Sequence, residues 1–299
     1  MTIQRAPSRA RGIALMATAA LAWSSGGLIV RHLEATPGWE IVFWRSVFMA
    51  LFLSAFLFVR YGRHAVARVR AVGAGGVLAG TMLASTFFFF ILSLTLTTVA
   101  NTLVIMSIVP FTAAFAGWLV LGERIAPRTW AAMAAALAGI AAMFWDSLGG
   151  ASGGALLGNL LALGVPVCMA ANIVLVRRAG AAIDMVPTVL VAGLVSIAIC
   201  LPVVWPPAAP LHDVALIALM GVVQLGLGCI CATMAMRELR AAEVGLLGLL
   251  ETVLGPLWVW LAVGEAPSGA ALAGGAVVIL ALAANELSGL RSGGTARPD

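Results

Sequence analysis

The chain has 299 residues, of which 62% are hydrophobic and only 10% charged. A soluble chain carries about 25% charged residues; this one lacks the polar surface to cover a core in water, and a soluble globular protein is excluded. Its net charge of +5 comes with 17 basic residues, all Arg, set in short clusters between apolar runs, and these do not form the basic stripe that a nucleic-acid binder needs.

Along the chain, apolar runs repeatedly reach the roughly 20 residues that cross a bilayer core. Read between charged and Pro/Gly punctuation, they place ten spans, at about 12–31, 39–59, 71–93, 98–121, 127–146, 155–177, 186–205, 213–236, 243–263 and 268–287. The short alternating segments of a β-barrel are absent. The expected fold class is an all-α polytopic membrane protein of ten transmembrane helices. The first span follows Arg5, Arg9 and Arg11 and so resembles a signal peptide, but it is long and lacks a small-x-small cleavage site, and it is kept as a span. Connections are short, with no soluble domain or linker.

The arginines set the expected orientation. With the N-terminus in the cytoplasm, the inner segments hold Arg5, Arg9 and Arg11, then Arg60, Arg63, Arg68 and Arg70, then Arg124 and Arg128. They continue with Arg177 and Arg178, Arg237 and Arg240, and Arg291 and Arg297. The outer side holds only Arg31, and Arg45 lies within a span. This positive-inside bias puts both termini in the cytoplasm. A wrong span count would scramble the alternation.

Polar side chains inside a bilayer face the helix bundle or a wet cavity, because lipid offers no hydrogen bonds. In chain order the mid-span candidates are Trp23, Ser24 and Ser25, Thr86, Asn101 and Ser107, Asn172, Gln224 and Glu251. Each has a plainer reading. The hydroxyls of Ser24, Ser25, Thr86 and Ser107 can bond carbonyls of their own helices. Asn101, Asn172 and Gln224 can tie helices together, at about 0.6 kcal/mol on average. Trp23 lies near mid-span beside serines, whereas Trp39, Trp130, Trp145 and Trp205 sit where interfacial belts form. The run Phe87 to Phe90 faces every direction on a helix, so one or two of its rings reach a substrate and the rest meet lipid or core.

Two charged residues stand out. Arg45 lies roughly 10 Å into the second span at 1.5 Å per residue; it snorkels outward or pairs with a buried acid. Glu251 has about eight residues of its span before it and about twelve after it, and an unpaired ionised carboxylate there costs several kcal/mol. It must be protonated, paired or hydrated. Three roles stay open: a protonatable coupling site, a partner for a substrate ammonium, or a neutral hydrogen bonder. Pro110, Pro166 and Gly255-Pro256 are bending points or static kinks. Cys168, Cys200, Cys229 and Cys231 read as small apolar packing residues, with no His near them, so no metal or other cofactor is expected.

The chain also repeats itself. "TTVANTLVIMSIVPFTAAFAGWLVLGE" (97–123) aligns without a gap on "LRAAEVGLLGLLETVLGPLWVWLAVGE" (239–265), an offset of 142. Asn101 meets Glu243, Pro110 meets Thr252, and Gly122-Glu123 meets Gly264-Glu265. A second pairing sets "WSSGGLIVR", ending at Arg31, on "MAANIVLVR", ending at Arg177. The expected organisation is two five-span units, 12–146 and 155–287, flanked by cytoplasmic tails 1–11 and 288–299. Five is odd, so the second unit enters the membrane inverted. Inverted repeats give near-equivalent conformations open to either side of a midplane site, which points to a transporter working by alternating access.

At this point a resemblance enters. The chain resembles the EamA-type members of the drug/metabolite transporter superfamily through Trp23-Ser24-Ser25, Trp44-Arg45, "LGER" at 121–124, "RELRAAE" at 237–243 and "VGE" at 263–265, over about residues 12–287. It is most similar to bacterial exporters of aromatic and other neutral amino acids, the YddG type. It departs from the family at Thr252, where Pro is usual, and at Met169, where Trp is often found. The resemblance implies a central cavity lined by spans 1, 3, 4, 6, 8 and 9, with spans 5 and 10 peripheral, and a structural role for Arg45. The residues themselves predict a mostly apolar cavity without the Arg or Lys cluster that phosphates need.

The sequence reading is a secondary transporter of the bacterial inner membrane, exporting small neutral or aromatic amino acids and related metabolites. Its substrate-binding candidates are Trp23, Ser24, Thr86, Asn101, Asn172, Gln224 and Glu251. The expected partners are that substrate and the bilayer, and one chain carries both repeats, so a monomer suffices. The alternatives are an EamA-type permease for another small metabolite or drug, and a channel. An enzyme is not expected. "GASG" at 150–153 resembles an intramembrane protease serine motif but lies in a loop, His32, His64 and His212 sit at span ends, and no H-E-x-x-H occurs. A channel lacks its carbonyl-rich filter and pore charges.

Overall fold

The structure is a computed structural model, and it describes residues 8–149, 153–179 and 185–292. Most of the 150–153 motif and the outer parts of both tails lie outside the described residues. Among the described residues all regular structure is helical, and ten helices are long and apolar enough to cross a membrane. Span 1 is Arg9–Arg31, span 2 Gly38–Tyr61, span 3 Gly73–Leu96 and span 4 Val99–Leu121. Span 5 is Pro127–Gly149, span 6 Gly153–Ala179, span 7 Met185–Val204 and span 8 Leu211–Ala235. Spans 9 and 10 are Ala241–Val263 and Gly269–Ser292. Each lies where the apolar runs predict, with ends shifted by a few residues. The helices are apolar all round, as expected where lipid replaces water outside the bundle.

Proline is accommodated in two ways. Span 4 is broken between Met106 and Val109, and Pro110 opens the second segment, where its missing N–H has no helical partner to lose. Spans 6 and 9 instead run on as helices through Pro166 and Pro256. Only the first of the three expected bending points is a break. Span 8 has an irregularity that the sequence reading lacks: Met220–Leu227 winds as a π-helix, a rare form that gathers at functional sites.

Packing repeats as the sequence does. Span 3 packs on spans 6 and 7, as span 8 packs on spans 1 and 2; span 4 packs on span 6, as span 9 packs on span 1. Spans 2 and 7, 4 and 9, and 5 and 10 pair across the two units. Spans 4 and 9 both end on a left-handed glycine, Gly122 (φ 69°) and Gly264 (φ 75°), each followed by a glutamate. The fold is two copies of a five-helix unit, the second inverted. Spans 5 and 10 meet through small residues: a Cβ on Gly139 would fall 2.7 Å from the Gly274 carbonyl oxygen. That close backbone approach is a common means of holding helices together in lipid.

Both faces of the bundle are stitched by polar contacts. On one face Asp213, fully buried, accepts hydrogen bonds from the Glu34 and Ala35 amides and the Thr36 hydroxyl, and Glu40 accepts one from the Ala208 amide. On the same face Arg31 pairs with Glu265 at 2.5 Å. Its remaining nitrogens donate to the Leu94 and Thr97 carbonyls, and the other Glu265 oxygen accepts from the Val99 amide. This pair therefore docks span 1 and span 9 onto the elbow between spans 3 and 4. On the opposite face Arg9 pairs with Glu243 and Arg11 with Glu238.

The Arg31–Glu265 pair has a repeat counterpart there, Arg177–Glu123 at 2.9 Å. It is about twice as exposed, 50% and 45% against 22% and 23%. Both of its contacts are between the two side chains. The Gly-Glu landmarks of the two repeats are thus halves of two ion pairs, docked on one face and undocked on the other.

Candidate functional site

A cavity of about 160 Å³ lies at mid-depth where spans 1, 2, 3, 4, 6, 8 and 9 converge. A cavity of this size has room for a small metabolite. Span 3 supplies Leu83, Thr86, Phe87 and Phe90; span 6 supplies Val165 and Met169; Met106 comes from span 4 at its break. Trp23 of span 1 and Leu225 and Cys229 of span 8 complete the largely apolar wall. Polar groups are few: Thr86, Gln224 on the π-helical turn, Arg45 of span 2 and Glu251 of span 9. Among the described residues, none from spans 5, 7 or 10 lines it.

Of the residues singled out from sequence, Trp23, Thr86, Gln224 and Glu251 line this cavity together. The other three do not. Ser24 is fully buried, donates to the Leu21 carbonyl at 2.8 Å and accepts from the Trp258 indole at 3.1 Å, which ties span 1 to span 9. Asn101 joins Thr97 and Asn159 in a buried cluster between spans 4 and 6. Asn172 donates to the Ala79 carbonyl at 2.7 Å and links span 6 to span 3. The remaining hydroxyls bond their own helices: Ser25 to Ala22, Thr86 to Leu83 and Ser107 to Val104. All four cysteines are free.

The two charged residues behave unexpectedly. Arg45 is 1% exposed, so it does not snorkel, and no acid pairs with it among the described residues. Its guanidinium lies against the Phe87 and Phe90 rings at 5.2 and 5.9 Å. Nη2 makes one long hydrogen bond, 3.4 Å to the Phe87 carbonyl, and the buried Nε has no partner. Glu251 likewise has no hydrogen bond or ion pair among the described residues and faces the cavity. The Gln224 side-chain oxygen is buried without a partner. Sequence reasoning placed Arg45 within the structure rather than in the cavity; its depth in the span was the signal. Met169 also lines the cavity, at the position where the sequence departs from the resemblance.

A family model described as the EamA-like transporter family matches the chain twice, over residues 10–145 and 156–285. The chain belongs to the EamA-like transporter family. Each match covers one five-span unit, so the repeat seen in the packing is the repeat of the family. This EamA-like protein is a multi-pass membrane transporter. A solved crystal structure shares the fold, with a TM-score of 0.66 at 22% identity over 95% of this chain and 99% of the other; at that identity the likeness speaks for the fold alone. No curated protein matches the sequence.

Proposed function

We propose that this EamA-like transporter carries small neutral or aromatic amino acids and related metabolites across the bacterial inner membrane, outward, by alternating access. The observation that carries the reading is the mid-depth cavity, with a wall of Leu83, Phe87, Phe90, Met106, Val165 and Met169 and a handful of polar groups. Such a site suits an apolar side chain with a compact polar head. It suits phosphates poorly, because Arg45 is the single arginine there. The inverted repeat supports alternating access, and the arginine distribution supports cytoplasmic termini. In that orientation the face closed by Arg31 and Glu265 is the outer one. One chain carries both repeats, so a monomer is sufficient.

The test is counterflow in proteoliposomes. Vesicles loaded with an unlabelled neutral amino acid are offered labelled threonine, methionine or phenylalanine. Accumulation above protein-free liposomes, saturating with concentration, is the expected result. No accumulation of any of the three sinks the amino-acid reading and leaves a transporter with a different cargo.

A further inference from the structure

We propose that Arg45 and Glu251 are the two poles of a clamp for a zwitterion, Arg45 taking the ligand's carboxylate and Glu251 its ammonium group. This deepens the amino-acid reading and rests on it.

The argument begins with what is missing around Arg45. A guanidinium has five N–H donors and no acceptor. Here it is 1% exposed, makes one hydrogen bond at 3.4 Å, and keeps a buried Nε unpartnered. The two phenyl rings beside it offer only their faces. The neighbouring Cys200 and Cys229 are weak acceptors. An arginine taken out of water and left without an anion is costly to the fold, and a structural arginine is normally satisfied by the fold itself. This one borders a cavity, and its unused donors fit a carboxylate in a paired geometry.

The anion is not supplied by Glu251. Both residues line the same cavity, yet no nitrogen–oxygen approach between them falls within 4.0 Å. An acidic and a basic side chain held apart in one apolar chamber fit a dipolar ligand. A simple acid leaves Glu251 unmatched, a simple amine leaves Arg45 unmatched, and a zwitterion matches both. The unpartnered Gln224 oxygen is a second acceptor for the three N–H groups of an ammonium. The side chain is then left to the apolar wall. The poles come from different repeats, and the residue 142 positions before Glu251 is Val109. The clamp is therefore a feature added to the symmetric frame, and a ligand held by it bridges the two units.

The experiment uses the same proteoliposomes and phenylalanine counterflow, with three competitors: unlabelled phenylalanine, phenethylamine, which lacks the carboxylate, and 3-phenylpropionate, which lacks the ammonium. In wild type, phenylalanine should compete at least about tenfold better than either analogue, the scale of one lost charged hydrogen bond. Arg45→Gln should shrink the preference over phenethylamine, and Glu251→Gln the preference over 3-phenylpropionate, each leaving the other preference in place. Arg45→Lys should restore part of the first. Equal competition by either analogue in wild type, or variants that weaken all three ligands alike, overturns the clamp while the amino-acid reading stands. Absence of counterflow in wild type overturns both. Where Arg45→Gln does not fold, Arg45→Lys and Glu251→Gln decide beside the wild-type series.

Discussion

Asn172 and Gln224 are both buried amides at mid-span, at 5% and 3% exposure, yet their surroundings differ. Asn172 spends its amide on the Ala79 carbonyl between two helices; Gln224 faces the cavity with its oxygen free. Replacing Asn172 by Ala should lower stability by about 0.6 kcal/mol, the usual worth of such a bond in a membrane, with KM unchanged. Gln224→Ala should leave the melting temperature nearly unchanged and raise KM for the transported substrate severalfold. Thermal melts of purified protein beside counterflow kinetics separate the two, and a KM shift in Asn172→Ala contradicts the assignment. The same contrast shows how far sequence reaches at this scale. Polarity in an apolar run says that a side chain avoids lipid, which held for Ser24, Asn101 and Asn172 as for Trp23 and Glu251. It does not say whether the partner is another helix or a cavity, because that depends on helix rotation. Nor does any sequence rule report that a buried arginine such as Arg45 lacks an acid among the described residues.

At the scale of helices the sequence was far more legible. Hydrocarbon thickness fixes span length, and charged punctuation fixes the ends, so the ten spans fall within a few residues of the observed helices. What the pattern does not encode is local winding. The break before Pro110 and the unbroken passage through Pro166 and Pro256 are decided by neighbours that can re-satisfy the backbone. The π-helical turn at Met220–Leu227 carries Gln224 to the cavity and has no proline to announce it. The contact between spans 5 and 10 gives a prediction confined to this scale. Gly139→Val would press a side chain into the Gly274 carbonyl and should cost about 1–3 kcal/mol, as overpacking does. Because neither span lines the cavity, ligand selectivity in the surviving protein should match wild type. A changed selectivity order would mean that these spans are not peripheral.

For the whole molecule, the repeat makes one asymmetry informative. Arg31–Glu265 and Arg177–Glu123 are equivalent by sequence, but only the first docks on an elbow, holding the Leu94 and Thr97 carbonyls and the Val99 amide. An inverted-repeat carrier exchanges the conformations of its two halves as it turns over. In the opposite state Arg177 and Glu123 should therefore dock on the equivalent elbow between spans 8 and 9, at Met236 to Ala241, while Arg31 and Glu265 let go. Val99 reports on the elbow between spans 3 and 4: its side chain is buried against Gly27 of span 1. In a background lacking the native cysteines, Val99→Cys should react slowly with a membrane-impermeant maleimide. Adding Glu265→Gln should loosen this dock and speed labelling several-fold. Adding Glu123→Gln should remove the dock of the opposite state and slow labelling further. If both changes move the rate in the same direction, the two ion pairs do not exchange roles, and the face closed by Arg31 and Glu265 is a fixed feature of the fold rather than one half of a cycle.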